Sequence, residues 1–121
     1  MNEHLLELGY VDGDFLDDVL SREELSTTAF NGIAVPHTLT TRSTYKSFIY
    51  IAIFQDGIQW TDEKYVNIIM MIGTNKNSRK LFLKFFDQLI KIFDTQANIN
   101  KLLRTNDFNE FYIALDSLFS E

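Results

Sequence analysis

The 121-residue chain has no cysteine, a single proline, five glycines and two histidines. Without cysteine it cannot have a disulfide framework, a thiolate nucleophile, or a Cys-ligated zinc or iron–sulfur centre. With only His4 and His37, the zinc spacings built from several histidines cannot be assembled, and the carboxylates are scattered. No metal site is expected. Long hydrophobic runs are also missing. The most apolar stretches, residues 47–54 and 66–73, fall far short of the roughly 20 residues that span a bilayer, and no basic segment precedes either. The sequence is therefore expected to be neither inserted in a membrane nor a secretory precursor, and its lack of cysteine suits a reducing cytoplasm. Eleven Lys and Arg stand against seventeen Asp and Glu, a formal charge of −6 with no basic block. Phosphate-backbone affinity comes from cationic neutralisation, so direct nucleic-acid binding is not expected.

The remainder is the composition of a globular domain, 45% hydrophobic and 14% aromatic. A chain of this size buries about two thirds of its unfolded surface, enough for a core without covalent staples. No repeat or linker interrupts it, so residues 1–121 are expected to form one domain.

Leu5, Leu6 and Leu8 predict a short helix ending near Gly9. Asp12 or Asp14 then caps a helix whose inner face carries Phe15, Leu16, Val19 and Leu20. Ser21 to Glu24 has the wording of a capping box and predicts a fresh helical turn. Ile33-Ala34-Val35 predicts a short strand, entered at Asn31-Gly32 and stopped by Pro36, which cannot donate to a ladder. Residues 45–54 and 66–72 predict two strands buried on both faces, joined through a turn at Gln55-Asp56-Gly57. Residues 78–93 predict the clearest helix, with Phe82, Phe85, Phe86, Leu89, Ile90 and Phe93 on one stripe suited to a sheet. Asp107 and Glu110 cap a last helix carrying Phe108, Phe111, Tyr112, Leu115, Leu118 and Phe119. Helices, strands, then helices predict an α/β fold, a mixed sheet flanked by helices in one layered domain.

His37 is the residue with chemical interest. It follows Pro36 at the mouth of a short strand, between hydroxyl-rich segments (Ser26, Thr27 and Thr28 before it, Thr38 to Thr44 after it), with Arg22 and Arg42 flanking. Near its reference pKa of about 6.5 an imidazole keeps one lone pair available at neutral pH, and guanidinium, hydroxyl and amide groups stabilise a phosphoryl group in transfer. The constellation suggests a phosphohistidine. On spacing alone, a lone histidine in a polar loop is more often a hydrogen-bonded bystander, Ser/Thr clusters are ordinary loop composition, and Arg22 is by default part of a charged helix end.

The run from Arg22-Glu23 through Thr27-Thr28 and Asn31-Gly32-Ile33-Ala34-Val35-Pro36 to His37 resembles the signature of the fructose–mannitol family of phosphotransferase-system IIA domains. There an Arg-Glu pair, a Thr and a Gly-Ile-Ala-Ile/Val-Pro-His run lead to a phosphorylated histidine. The leader at residues 7–11, Gln59-Trp60 ahead of the second apolar run, and the later helices resemble the same family, so nearly the whole chain is covered. The resemblance implies that His37 carries the phosphoryl group, that Arg22 and Thr28 (or Thr27) contact it, and that Asn31 and Thr38 stand as further polar contacts. Thr38 replaces a residue commonly small in the family. The family's second histidine, expected in residues 75–80, is missing, leaving Arg79 or Lys80 as substitutes, and the family's opening strand has no counterpart ahead of the first helix.

Two functions follow from the resemblance. One is a phosphoryl carrier, a phosphotransferase that takes the group from the phosphocarrier HPr and passes it to a IIB component during sugar uptake, with no cofactor because donor and acceptor are proteins. The alternative is a phosphorylation-sensing domain of a sugar-operon antiterminator or activator, acting on other regulator domains. A third reading keeps the fold and binds partners without carrying phosphate. A homodimer is a further open partner.

Overall fold

A computed structural model describes residues 1–120. Its helices are α1 (Asn2–Glu7), α2 (Phe15–Leu25), α3 (Arg79–Phe93), α4 (Gln96–Leu103) and α5 (Phe108–Ser120), and its strands are β1 (Ile33–Ala34), β2 (Phe48–Gln59) and β3 (Tyr65–Gly73). The chain divides into two compact units, residues 1–82 and 83–121.

The first unit holds a mixed three-stranded sheet in the order β1-β3-β2. β3 is central, parallel to β1 (Ile33 opposite Ile68) and antiparallel to β2 (Phe48 opposite Gly73, Ile53 opposite Ile68). β3 is buried at Val66 and from Ile68 to Gly73, as a strand covered on both faces requires, with the polar Asn67 between them half-buried. β2 departs from the expectation. It is an edge strand and mostly half-buried, because an apolar run does not by itself distinguish a central strand from an edge. Gln55-Asp56-Gly57 is not the hairpin turn either. It forms an irregularity in β2 between Ile53 and Ile58, where Gly57 takes φ of 78°. The Asn67 side-chain amide donates to the Phe54 and Gln55 carbonyls there, at 3.0 and 3.3 Å. The chain turns instead at residues 60–64, closed by a hydrogen bond from the Trp60 N–H to the Lys64 carbonyl at 2.9 Å.

One sheet face is covered by the N-terminal helices. Leu5, Val11, Phe15 and Val19 are buried with Met71, and Tyr10, Phe48 and Tyr50 pack around them. A neighbouring cluster joins Ala29, Ala34, Val66 and Ile69 to Phe54, Ile58 and Trp60. Leu16 and Leu20, expected on the inner face of α2, are exposed, because the buried stripe is the narrower pair Phe15 and Val19. Ser21 to Glu24 opens no new turn. α2 runs through it without a break, since α2 already has its N-terminus at Asp14 and nothing at Ser21 interrupts the backbone ladder.

In the second unit, Leu89, Ile92 and Phe93 of α3 are buried, as are Ile99 and Leu102 of α4 and Phe111 and Leu118 of α5. Asp107 caps α5, its carboxylate accepting from the Glu110 N–H at 2.8 Å, while Glu110 reaches back to the Asn106 N–H at 2.7 Å. Phe108 and Tyr112 lie on the exposed side of α5.

Candidate functional site

Strand β1 ends at the site. After Ala34 the chain stays extended for two residues, and the Pro36 carbonyl accepts from the Ile72 N–H at 3.0 Å, so the parallel pairing with β3 continues to the residue before His37. Pro36 needs no ladder donor, and it delivers the histidine at the C-terminal end of the sheet, where ligand sites of parallel strands gather. The imidazole is half-buried. Its Nδ1 lies 2.8 Å from the Val35 carbonyl oxygen. A carbonyl can only accept, so Nδ1 carries the proton and the lone pair of the neutral ring is on Nε2. Phe82 meets the ring edge-on, with centroids 5.8 Å apart.

Two guanidinium groups bear on this ring. Arg22, in the last turn of α2, donates to the Ser26 carbonyl at 2.7 Å, which ties it across the helix terminus and favours the dipole. Arg79, the first residue of α3, stacks its guanidinium 5.6 Å from the Phe82 ring centroid. The entry to α3 is fixed by Asn75, whose side chain accepts from the Asn77 and Ser78 amides and donates to the Tyr45 carbonyl. Burial holds the His37 pKa below its ordinary value. The positive charges of Arg22 and Arg79 push the same way, while the Val35 hydrogen bond and the Glu23 charge oppose them. Lys80 is exposed. Of the two cations considered as substitutes for a second histidine, Arg79 is the one whose charge acts on the ring.

Glu23 is the residue that sequence reasoning passed over. Its carboxylate accepts from the Thr27 hydroxyl at 3.1 Å, from the Thr28 N–H, from the Thr28 hydroxyl and from Trp60 Nε1 at 3.2 Å. The Thr28 hydroxyl in turn accepts from the Val35 N–H at 3.1 Å. A hydrogen-bonded chain therefore runs from Trp60 through Glu23, Thr28 and Val35 to Nδ1 of His37. The signal for it in the sequence was the Arg-Glu pair itself, read there as a capping motif and a charged helix end.

The other expected contacts are placed as follows. Thr28 is buried, and its hydroxyl proton goes to Glu23 within the loop. Thr38 is buried beside His37, its hydroxyl donating to the Thr40 carbonyl. Asn31 is not brought to the imidazole. With φ of 51° next to Gly32 at 84°, it forms the tight turn in which Phe30 and Ile33 exchange backbone hydrogen bonds. The strand that follows carries the chain away from this turn, about 13 Å from Ile33 to His37 at 3.3 Å per residue. Arg42 is committed elsewhere, paired through two nitrogens with Asp18 at 2.6 and 3.1 Å. His4 shares a hydrogen bond with the Tyr50 hydroxyl at 2.7 Å on α1. Among the described residues no cluster of His, Asp or Glu could hold a metal ion, and no helix is long and apolar enough to cross a membrane.

A half-buried imidazole with a fixed tautomer, on which two guanidinium charges act, can accept and hold an anionic group on Nε2. The chain is 29% identical over 113 residues to the transcriptional regulator ManR of Bacillus subtilis, covering 93% of this chain and 17% of the regulator. It is 24% identical to a probable licABCH operon regulator of the same organism, covering 96% of this chain and 18% of that protein. The chain thus spans under a fifth of the length of these curated relatives. Its fold is that of the mannitol IIA crystal structure from Escherichia coli, with a TM-score of 0.72 at 22% identity over 93% of this chain and 82% of that one. Residues 1–117 match the family model for the phosphoenolpyruvate-dependent sugar phosphotransferase system, EIIA 2, and the chain belongs to that family.

Proposed function

We propose that the chain carries a phosphoryl group on Nε2 of His37. The observation that carries this reading is the Nδ1 hydrogen bond to the Val35 carbonyl, which leaves the nucleophilic lone pair on Nε2 in a ring on which two guanidinium charges act. The phosphohistidine of HPr is the donor. Its N–P bond breaks as the bond from phosphorus to Nε2 forms, the donor ring leaves as neutral imidazole, and His37 becomes a phosphorylated imidazolium. Nδ1 keeps its proton, and the Val35 carbonyl that accepts it offsets the new ring charge. Arg22 and Arg79 stabilise the charge spread over the phosphoryl oxygens, and the lowered pKa keeps the ring neutral and nucleophilic at cytoplasmic pH. Glu23 and Thr28 are positioning residues that hold Val35, and through it the ring. No cofactor or metal takes part, and the protein works in the cytoplasm with HPr.

The acceptor in the carrier reading is the histidine or other nucleophile of a IIB component in sugar uptake. A second reading, a phosphorylation sensor within a sugar-operon regulator, is favoured by the two regulators among the relatives and by Arg79. A guanidinium keeps its charge throughout and holds the phosphoryl group without titrating. Incubation with HPr, the enzyme that phosphorylates HPr, and phosphoenolpyruvate tests the shared step. An acid-labile, base-stable label on the parent and none on His37→Ala is expected, and equal labelling of both overturns the reading. Adding IIB to the isolated phosphoprotein separates the two readings. Discharge within seconds supports the carrier, and retention of the label supports the sensor.

A further inference from the structure

The outer edge of β2 is the part of the molecule that the phosphoryl chemistry leaves unexplained. In β3 the N–H groups of Ile68 and Ile72 are spent on the Gly32 and Pro36 carbonyls. Backbone groups alternate between the two edges of a strand, so Ile69, Met71 and Gly73 turn theirs toward β2, where Ala52, Tyr50 and Phe48 are their partners. Ile49, Ile51 and Ile53 therefore direct N–H and C=O to the outer edge, along which no strand pairs among the described residues. Such edges are ordinarily blunted by lysine, proline or an inward charge, and residues 48–54 contain none of these. Ile49 is 45% exposed.

We infer that this edge pairs with the same edge of a second copy of the chain, antiparallel about a two-fold axis at Ile51. The strand is self-complementary about that residue. Ile49 faces Ile53 of the second copy and Phe48 faces Phe54, while Tyr50 meets the small Ala52. The outward groups of Ile49, Ile51 and Ile53 then close a ladder of narrow pairs. The flanks match in charge as well: Lys46 faces Asp56 of the second copy at both ends, and Ser47 faces Gln55. Lys46 and Asp56 are both exposed, with the Lys46 ammonium 5.8 Å from the Tyr10 ring centroid. Asp56 sits in the bulge that ends the regular strand, so the charges frame the apolar pairing. Registers centred between two residues would set outward groups against groups already bonded to β3. The two-fold gives an isologous contact that closes at two chains, joining the two three-stranded sheets into one of six strands.

Sedimentation equilibrium of the 121-residue chain over a concentration series tests the pairing. A monomer–dimer equilibrium is expected, the dimer having twice the 14.1 kDa of the chain. Lys46→Glu turns two attractive pairs into repulsive ones and weakens dimerisation about tenfold, and the double variant Lys46→Glu/Asp56→Lys restores it. Ile51→Pro removes an N–H that points away from β3 and abolishes the dimer. A chain monomeric at every concentration overturns the inference. So does a dimer indifferent to Lys46→Glu, or a double variant as weak as the single one, and circular dichroism of each variant shows that the fold is intact.

Discussion

Replacing Glu23 by alanine probes the link between the fold and the imidazole. The substitution removes the acceptor for the Thr27 hydroxyl, the Trp60 indole N–H, and both the N–H and hydroxyl of Thr28. Thr28 is 9% exposed, so its two donors lose their partner where water reaches poorly. An unsatisfied buried donor costs about 1–3 kcal/mol, and relief of the partly desolvated carboxylate returns about 1 kcal/mol. The net loss is about 2–3 kcal/mol, or about 10 °C in melting temperature for a domain of this size. Urea unfolding with an unchanged m-value measures it. The second effect is local. Freed from Glu23, Thr28 no longer fixes the Val35 N–H, the Val35 carbonyl shifts, and the ring loses its orientation, so phosphorylation slows by about tenfold or more. Glu23→Gln keeps an acceptor oxygen and falls between the parent and Glu23→Ala in stability. Because it removes a charge that raises the His37 pKa, it lowers that pKa further. A Glu23→Ala protein that unfolds within about 0.5 kcal/mol of the parent and accepts phosphoryl groups at the parental rate would refute the proposed role of the hydrogen-bonded chain.

Three further outcomes are expected. The His37 pKa lies below 6.5 in the folded state, so between the two values the unfolded chain binds more protons. Its contribution to stability is present above pH 6.5 and is lost as pH falls through the folded value, and His37→Gln flattens that part of the profile in urea unfolding at pH 5 to 8. Asp18 is held below its ordinary pKa chiefly by its hydrogen bond to Arg42. Arg42→Ala therefore raises it in an NMR titration, and the accompanying stability, present above pH 3.8 and lost as pH falls through the lowered value, shrinks with added salt. At Gly73 a Cβ would come 2.2 Å from the Phe48 ring, so Gly73→Ala destabilises by about 2 kcal/mol, and Phe48→Leu in the same chain costs less than the two changes added separately.

Much of this architecture is legible along the chain because helical periodicity and turn chemistry are local. The stripe from Phe82 to Phe93, the cap at Asp107 and the Asn31-Gly32 turn each declare themselves within a few residues. α4 does not. It offers two buried anchors, Ile99 and Leu102, within eight residues, too few for a period to stand out. β2 hides its length for a different reason. Gln55-Asp56-Gly57 has the chemistry of a hairpin turn, yet Asn67 on β3 secures the Phe54 and Gln55 carbonyls and the strand resumes. At the site, His37 and Arg22 are legible from their motif. The hydroxyl directions of Thr28 and Thr38 are not, because their partners are chosen by the loop's closure on α2 and β1. The displacement of Asn31 follows from the strand between it and His37, and the role of Arg79 depends on Phe82, whose ring carries its guanidinium and meets the imidazole edge-on.

The most direct test of the account is the position of the phosphoryl group itself. Nitrogen and phosphorus NMR of the 15N-histidine-labelled chain, phosphorylated through HPr, should place phosphorus on Nε2 of His37 with Nδ1 still protonated. Phosphorus on Nδ1, on His4, or on neither histidine would contradict it.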